Sequence, residues 1–401
     1  MDSDRPRHRR PYVPAWQGLS LRMWLGSRKD RPLPFPLDQA EYQAFHTTRS
    51  AIFHLFRTLV ASGRTRVLAP DYHMGNELRA IRASGAQVEL YRIDKEGRPD
   101  LTALTKACAR GADILFTIHY AGWPQPVHRL RKICDEQETV LVEDCALAFL
   151  SDLDRRPLGS FGDYAVYCLY KSLPTLDGGI LVQNRASAPH VNAMSLRRIG
   201  RAFEAGQAAE LWLERFRSRA PGPGSLLQAG KRRVGAALTA LRVERVPVGD
   251  IGFDESRTDI AMSSWSRRLL PRLDYAWIRQ RRRDNFMLLR RQLAHVGIAP
   301  WRELEPGVCP LFFPLLVADK SSAARRLKDG GVMATELWNE GDPHVAHEEG
   351  EAARFLRRHL LELPIHQDLL DEHIHYIADQ VAASGIALAR PSLPARASAT
   401  V

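Results

Sequence analysis

Residues Asp163–Leu181 read DYAVYCLYKSLPTLDGGIL. The apolar, aromatic-rich run from Tyr164 to Leu169 predicts a buried strand. It delivers one lysine, Lys171, into a turn marked by Ser172, Pro174, Asp177, Gly178 and Gly179. A second apolar run, Ile180–Val182, follows. A cation at the end of a buried strand costs free energy unless it is paired or neutralised. Two uses fit such a lysine. It forms a Schiff base with a carbonyl at a depressed pKa, or it simply reaches solvent from the strand end.

The upstream segment Val140–Asp144, VLVED, is a short apolar strand ending in two carboxylates. Asp144 lies 27 residues before Lys171. A carboxylate at one strand end and a lysine at a nearby one suit pyridoxal phosphate. The amine holds the aldehyde, and the carboxylate keeps the pyridine nitrogen protonated so that the ring draws electrons. The plainer use of Asp144 is to cap the next helix.

The chain has 401 residues, 45% of them hydrophobic and 26% charged, as in a soluble globular protein of two domains. No apolar run is long enough to span a bilayer. The basic start MDSDRPRHRR leads into no signal-peptide core, so a cytoplasmic protein is expected. A net charge of +11, dominated by arginine, fits anionic ligands such as phosphates or nucleotide sugars. Without zinc-finger or RNA-binding patterns, nucleic acid is not expected as a partner. The five cysteines are scattered with no CxxC, which points to neither a disulfide framework nor a zinc site. His344 and His347, beside Glu348 and Glu349, read as a solvated loop.

Residues 1–40, rich in Pro and Arg, predict an arm with little regular structure. Ser50–Val60 has helical spacing after the polar cluster His46, Thr47, Thr48 and Arg49. Such a helix start is a ready anion site, or is capped by Thr47 or Thr48 in the ordinary way. Strands at Arg66–Ala69, Gln87–Ile93, Ile114–Ile118 and Val140–Val142 then alternate with helices at Asn76–Ser84, Leu101–Ala109 and Val127–Glu136. This alternation predicts a mostly parallel sheet covered on both faces, with ligands at the strands' carboxyl ends. Pro70–Met74, His119–Gly122, Asp144 and Lys171 all fall at such ends. Residues 204–250 interrupt the pattern as an insertion. Its basic stretch Leu226–Leu241 reads as a helix with a solvated basic face rather than one lying on a membrane surface. Thr258–Leu293 reads as long helices with Arg279, Arg281, Arg282 and Arg283 on a solvated face. The expected organisation is a large domain over 41–285, a smaller C-terminal α/β domain over 286–388, and a disordered tail over 389–401. In the smaller domain the strand Leu311–Val317 contains Pro314, which predicts a sheet edge.

This order of parts resembles the DegT/StrS family of sugar aminotransferases, a branch of the fold-type-I pyridoxal-phosphate enzymes. The resemblance runs from about Thr48 to Val381. It is carried by TTRSAIFHL, VLVEDCALAF, RRPLGSFGDYAVYCLYKSLPTLDGG and the closing LELPIHQ. It implies that Lys171 is the Schiff-base lysine and the acid/base of the proton transfer, and that Asp144 pairs with the pyridine nitrogen. Thr48, Arg49 and Ser50 are implied to hold the cofactor phosphate, and Tyr72, His73 or Met74 to lie against the ring. It further implies an amino-acid donor, usually glutamate, a keto sugar attached to a nucleotide as acceptor, and a homodimer whose partner subunit completes each site, through the Ser256–Ser264 stretch.

Three positions depart from the family pattern. Cys168 stands where a serine is expected as a phosphate ligand, and is a poorer donor. Leu147 stands where a glutamine is expected near the cofactor's phenolic oxygen, and Met74 falls at the ring-stacking position. An aminotransferase is therefore the first expectation. The alternative is a relative that keeps the fold as a non-catalytic binding or scaffold module, or that runs an altered reaction.

Overall fold

The computed structural model describes residues 11–20, 23, 31–224, 226–227 and 252–389. A seven-stranded sheet forms its centre. Its strands are β1 (Gln43–Phe45), β2 (Arg66–Pro70), β3 (Gln87–Tyr91), β4 (Ile114–Ile118) and β5 (Val140–Asp144). After a two-stranded hairpin, β6 (Asp152–Leu153) and β7 (Arg156–Pro157), come β8 (Tyr164–Cys168) and β9 (Gly179–Gln183). The order across the sheet is β1-β9-β8-β5-β4-β2-β3. Five neighbouring strands run parallel, and β9 is antiparallel to both β8 and β1. The mostly parallel α/β fold read from the sequence is thus observed. The central strands β4, β5 and β8 are buried at every residue, whereas the edge strand β3 alternates. Strands covered on both faces need no polar side, which is why they read as unbroken apolar runs.

The second sheet has three strands, β10 (Phe313–Leu316), β11 (Thr335–Glu336) and β12 (Leu360–Leu363), in the order β10-β12-β11. Pro314 lies on β10, an edge strand, as its missing N–H requires. The helix Tyr275–Ala294 runs unbroken across residues 285 and 286 and packs against the helix Asp371–Ala383.

Several elements differ from expectation. The strand ends at Cys168, and Lys171 lies on a single helical turn, Leu169–Ser172. Strand β1 and the β6–β7 hairpin carry no signal strong enough to predict; at two or three residues they are too short for a period. The expected solvated arginine face is largely engaged. Arg282 is only 1% exposed, Arg279 pairs with Asp152, and Arg281 pairs with Asp371. The long-helix stretch opens with a short helix, Ser264–Leu269, before Tyr275–Ala294 begins. Apart from Leu226 and Leu227, the stretch Leu226–Leu241 lies outside the described residues, as does the tail from 390 onward.

Segment 11–20 carries one β-bridge, Val13 with Val332, and is otherwise irregular. It is nevertheless packed: Gln17 and Leu19 are buried, and Gly18 N–H donates to Asp368 at 2.9 Å.

Candidate active site

A cavity of about 490 Å³ opens at the carboxyl ends of the parallel strands. Ile118, Asp144 and Cys168, the last residues of β4, β5 and β8, line it, and Lys171 enters from the turn after β8. This is where an open α/β sheet collects ligands.

The strand ending at Asp144 is held in place by two sequence segments, VLVEDCA and GSFGD, which form one hydrogen-bonded unit. Glu143, fully buried, accepts N–H bonds from Gly159 (3.0 Å), Phe161 (2.7 Å) and Gly162, and pairs with His119 Nε2 at 2.9 Å. Gln125 N–H donates to His119 Nδ1 at 3.0 Å, which places the ring proton on Nε2, facing Glu143. Asp163 accepts Leu141 N–H at 2.7 Å and pairs with Arg131 at 2.8 Å. The EDxA and GSxGD segments thus tie the strand carrying Asp144 to the loop feeding the strand that leads to Lys171.

Asp144 accepts Ala146 N–H at 2.8 Å. Burial raises its pKa above the ordinary carboxylate range, opposed by that N–H and by the positive charge of Lys171. A second carboxylate, Glu77, shares the cavity at the start of the helix Asn76–Ala83 and accepts Met74 N–H at 2.7 Å. Burial, reinforced by the Asp144 charge, pushes Glu77 up to about 7. Two buried carboxyls lining one cavity favour a positively charged ligand group beside them.

The opposite requirement, for an anion, is met at the helix Thr48–Ala61. Thr47 is its N-cap, accepting Ser50 N–H at 3.3 Å. Thr48 Oγ1 donates to Tyr167 O at 2.9 Å and so fastens the helix start to β8. Arg49 lines the cavity, and its buried Nη1 has no hydrogen-bond partner among the described residues. A buried guanidinium nitrogen without an acceptor, at a helix N-terminus, fits a phosphate. The approach is tight: a Cβ on Gly179 would lie 2.3 Å from Thr47 C and O and 2.4 Å from Thr48 N. Only glycine lets β9 pass this close.

Of the residues implied for the site, the structure brings Thr48, Arg49, Met74, Asp144, Cys168 and Lys171 to the lining of one cavity. Ser50, Tyr72 and His73 are buried but are not among its lining residues. Ser50 Oγ bonds Thr47 Oγ1 at 3.0 Å. Tyr72 packs at 5.0 Å from the ring of Trp338, and His73 O accepts from Arg357 at 3.1 Å. The aromatic side chains on the cavity come instead from Trp16, from Tyr170 beside the lysine, and from Trp338 of the segment after β11. Glu77, Trp16, Gln17, Gln207 and Trp338 line the cavity and were not singled out from the sequence. Only Glu77 carried a local signal, an acidic residue in a helix's first turn. The others are brought in from distant parts of the chain.

The aminotransferase family model described as DegT/DnrJ/EryC1/StrS matches residues 44–382. The chain belongs to this family. Among curated proteins, GDP-perosamine synthase of Vibrio cholerae is 24% identical over 170 residues, covering 40% of this chain and 46% of that protein. GDP-perosamine synthase of Escherichia coli O157:H7 is 23% identical over 153 residues, covering 37% and 42%. The matched part of this DegT-family chain thus spans less than half the length of these relatives. Solved structures share its fold. PseC of Helicobacter pylori, an aminotransferase in pseudoaminic acid biosynthesis, superposes with a TM-score of 0.62 at 16% identity over 86% of each chain. A Streptococcus pneumoniae protein assigned as a sugar aminotransferase, solved in its PLP form, gives 0.63 at 15% identity over 93% of this chain and 98% of that one. All three departures of this family member, Met74, Leu147 and Cys168, line the cavity itself.

Proposed function

We propose that the chain is a pyridoxal-phosphate-dependent aminotransferase that moves an amino group, from glutamate, onto a nucleotide-linked keto sugar in polysaccharide or glycoside biosynthesis. Residues 41–285 act as the cofactor-binding domain and 286–388 as the smaller domain of a homodimer. One observation carries this reading: Lys171, Asp144 and Arg49, whose buried Nη1 has no partner among the described residues, line one cavity. They match the aldehyde, the ring nitrogen and the phosphate of the cofactor.

When bound, pyridoxal phosphate supplies an aldehyde that exchanges amino groups and a ring that withdraws electrons. Asp144 would hold the proton on the ring nitrogen, its buried carboxylate facing that N–H. Arg49 and the N–H groups of the helix start anchor the phosphate. Lys171 Nζ would hold the aldehyde end of the cofactor and would serve as the acid/base that carries a proton to and from the reacting carbon. Ile52, Leu147, Leu176 and Trp338 keep water from that carbon.

The test is the absorption spectrum of the protein with pyridoxal phosphate, before and after glutamate. A new band absent from Lys171→Ala, and its change on adding glutamate, are expected; a protein that stays colourless with excess cofactor contradicts the reading. Met74, Leu147 and Cys168 on the cavity favour a second reading, a module that keeps the fold without the reaction. It predicts a spectrum that glutamate leaves unchanged.

A further inference from the structure

Lys171 sits on a helix of one turn, and a single turn leaves its last carbonyls without intrahelical partners. These orphans are met from three distant parts of the chain. Gln17 Nε2 donates to Tyr170 O and to Leu173 O, each at 2.8 Å. Arg282 Nη2 donates to Ser172 O at 3.2 Å, and Gln367 Nε2 to the same oxygen at 3.1 Å. The three side chains also hold one another. Arg282 Nη2 reaches Gln17 Oε1 at 3.1 Å, and Arg282 Nε reaches Gln367 Oε1 at 2.9 Å. Gln17 is 2% exposed, and the arm is pinned on both sides of it. Before it, Pro14 O meets His366 Nε2 at 3.1 Å; after it, Leu19 N–H donates to Leu211 O at 3.1 Å.

We propose that Gln17 is a positioning residue for Lys171, so that the N-terminal arm is a working part of the site rather than a tether. Its two donors fix the carbonyls on either side of the lysine and thereby aim Nζ into the cavity. Arg282 backs the amide by binding its oxygen, which orients the NH₂ group toward the turn. Loss of the two donors frees the turn to rotate, and a misplacement of about 1 Å at a reacting amine costs up to about a hundredfold in rate.

The inference rests on Lys171 being the reactive amine, and two measurements on the full chain separate the two ideas. The first is the rate of covalent capture of pyridoxal phosphate, in which Nζ attacks the aldehyde carbon, a C=N bond forms and one water leaves. The second needs no cofactor: the rate at which acetic anhydride acetylates Lys171, with acetate leaving, read by peptide mass spectrometry. Gln17→Leu is expected to slow capture at least about tenfold and to change Lys171 acetylation at least about threefold, with the other lysines unchanged. Gln17→Glu keeps the oxygen that Arg282 binds but loses both donors, and is expected to show the same two effects if the leucine variant does not fold. A merely structural role lowers the thermal midpoint without altering Lys171 relative to the other lysines; that result, or wild-type values in both assays, overturns the proposal. A wild-type chain that captures no cofactor contradicts the aminotransferase reading, while acetylation still decides the role of Gln17.

Discussion

Replacing Glu77 with glutamine preserves the side chain's length and the acceptor for Met74 N–H, and removes one ionisable group from the cavity. Burial, strengthened by Asp144 and opposed by the Met74 N–H, its own N–H and the Lys171 charge, moves Glu77 from 4.5 to about 7. In the unfolded chain the carboxyl titrates at its ordinary value. Between these two pH values the folded protein keeps a proton that the unfolded chain has released. Stability from this group is therefore full below 4.5 and is lost as pH rises through about 7. Each pH unit in that interval is worth about 1.4 kcal/mol, so the whole loss is about 3 kcal/mol. E77Q escapes it. Urea unfolding of the cofactor-free protein, followed by fluorescence, is the assay. The stability difference between E77Q and wild type is expected to widen in favour of E77Q by about 2.5 kcal/mol from pH 5 to pH 8, since part of the loss already falls below pH 5. A difference that stays constant across that range refutes the claim that Glu77 is held protonated by its surroundings.

Arg49→Met removes the unpartnered guanidinium. It is expected to weaken binding of pyridoxal phosphate about 10- to 100-fold while leaving pyridoxal, which lacks the phosphate, nearly unaffected; equilibrium titration of each ligand checks this. Gly179→Ala drives a Cβ into the backbone of Thr47 and Thr48. Strand and helix start must separate, so thermal unfolding is expected to show a loss of about 1–3 kcal/mol, together with weaker binding of the phosphate-bearing cofactor.

Much of the site is local in the chain and therefore legible from it. Asp144 ends an apolar strand, Lys171 follows another, and Arg49 stands at the start of an amphipathic helix. Each is placed by an element whose period is visible over a handful of residues. The parallel sheet then carries strand ends to one side by topology alone. The limits appear where a residue's setting depends on a distant partner. Arg282 looks like one of several arginines on a solvated helix face. It is buried because Gln17, Gln367, Leu311 and Ser172, drawn from four other segments, supply the acceptors that a buried guanidinium requires.

The sequence by itself determined the α/β class, the family, and the lysine and carboxylate on which the proposed chemistry rests, since strand and helix periods and strand-end residues are written in consecutive positions. Only the tertiary structure decided that Tyr72 and His73 stay off the cavity lining while Trp16 and Trp338 join it, that Glu77 stands beside Asp144, and that the arm reaches the lysine turn. Those placements follow from which segments pack together and which buried polar groups they satisfy, and hydrogen bonds spanning more than a hundred residues leave no periodic trace in the chain.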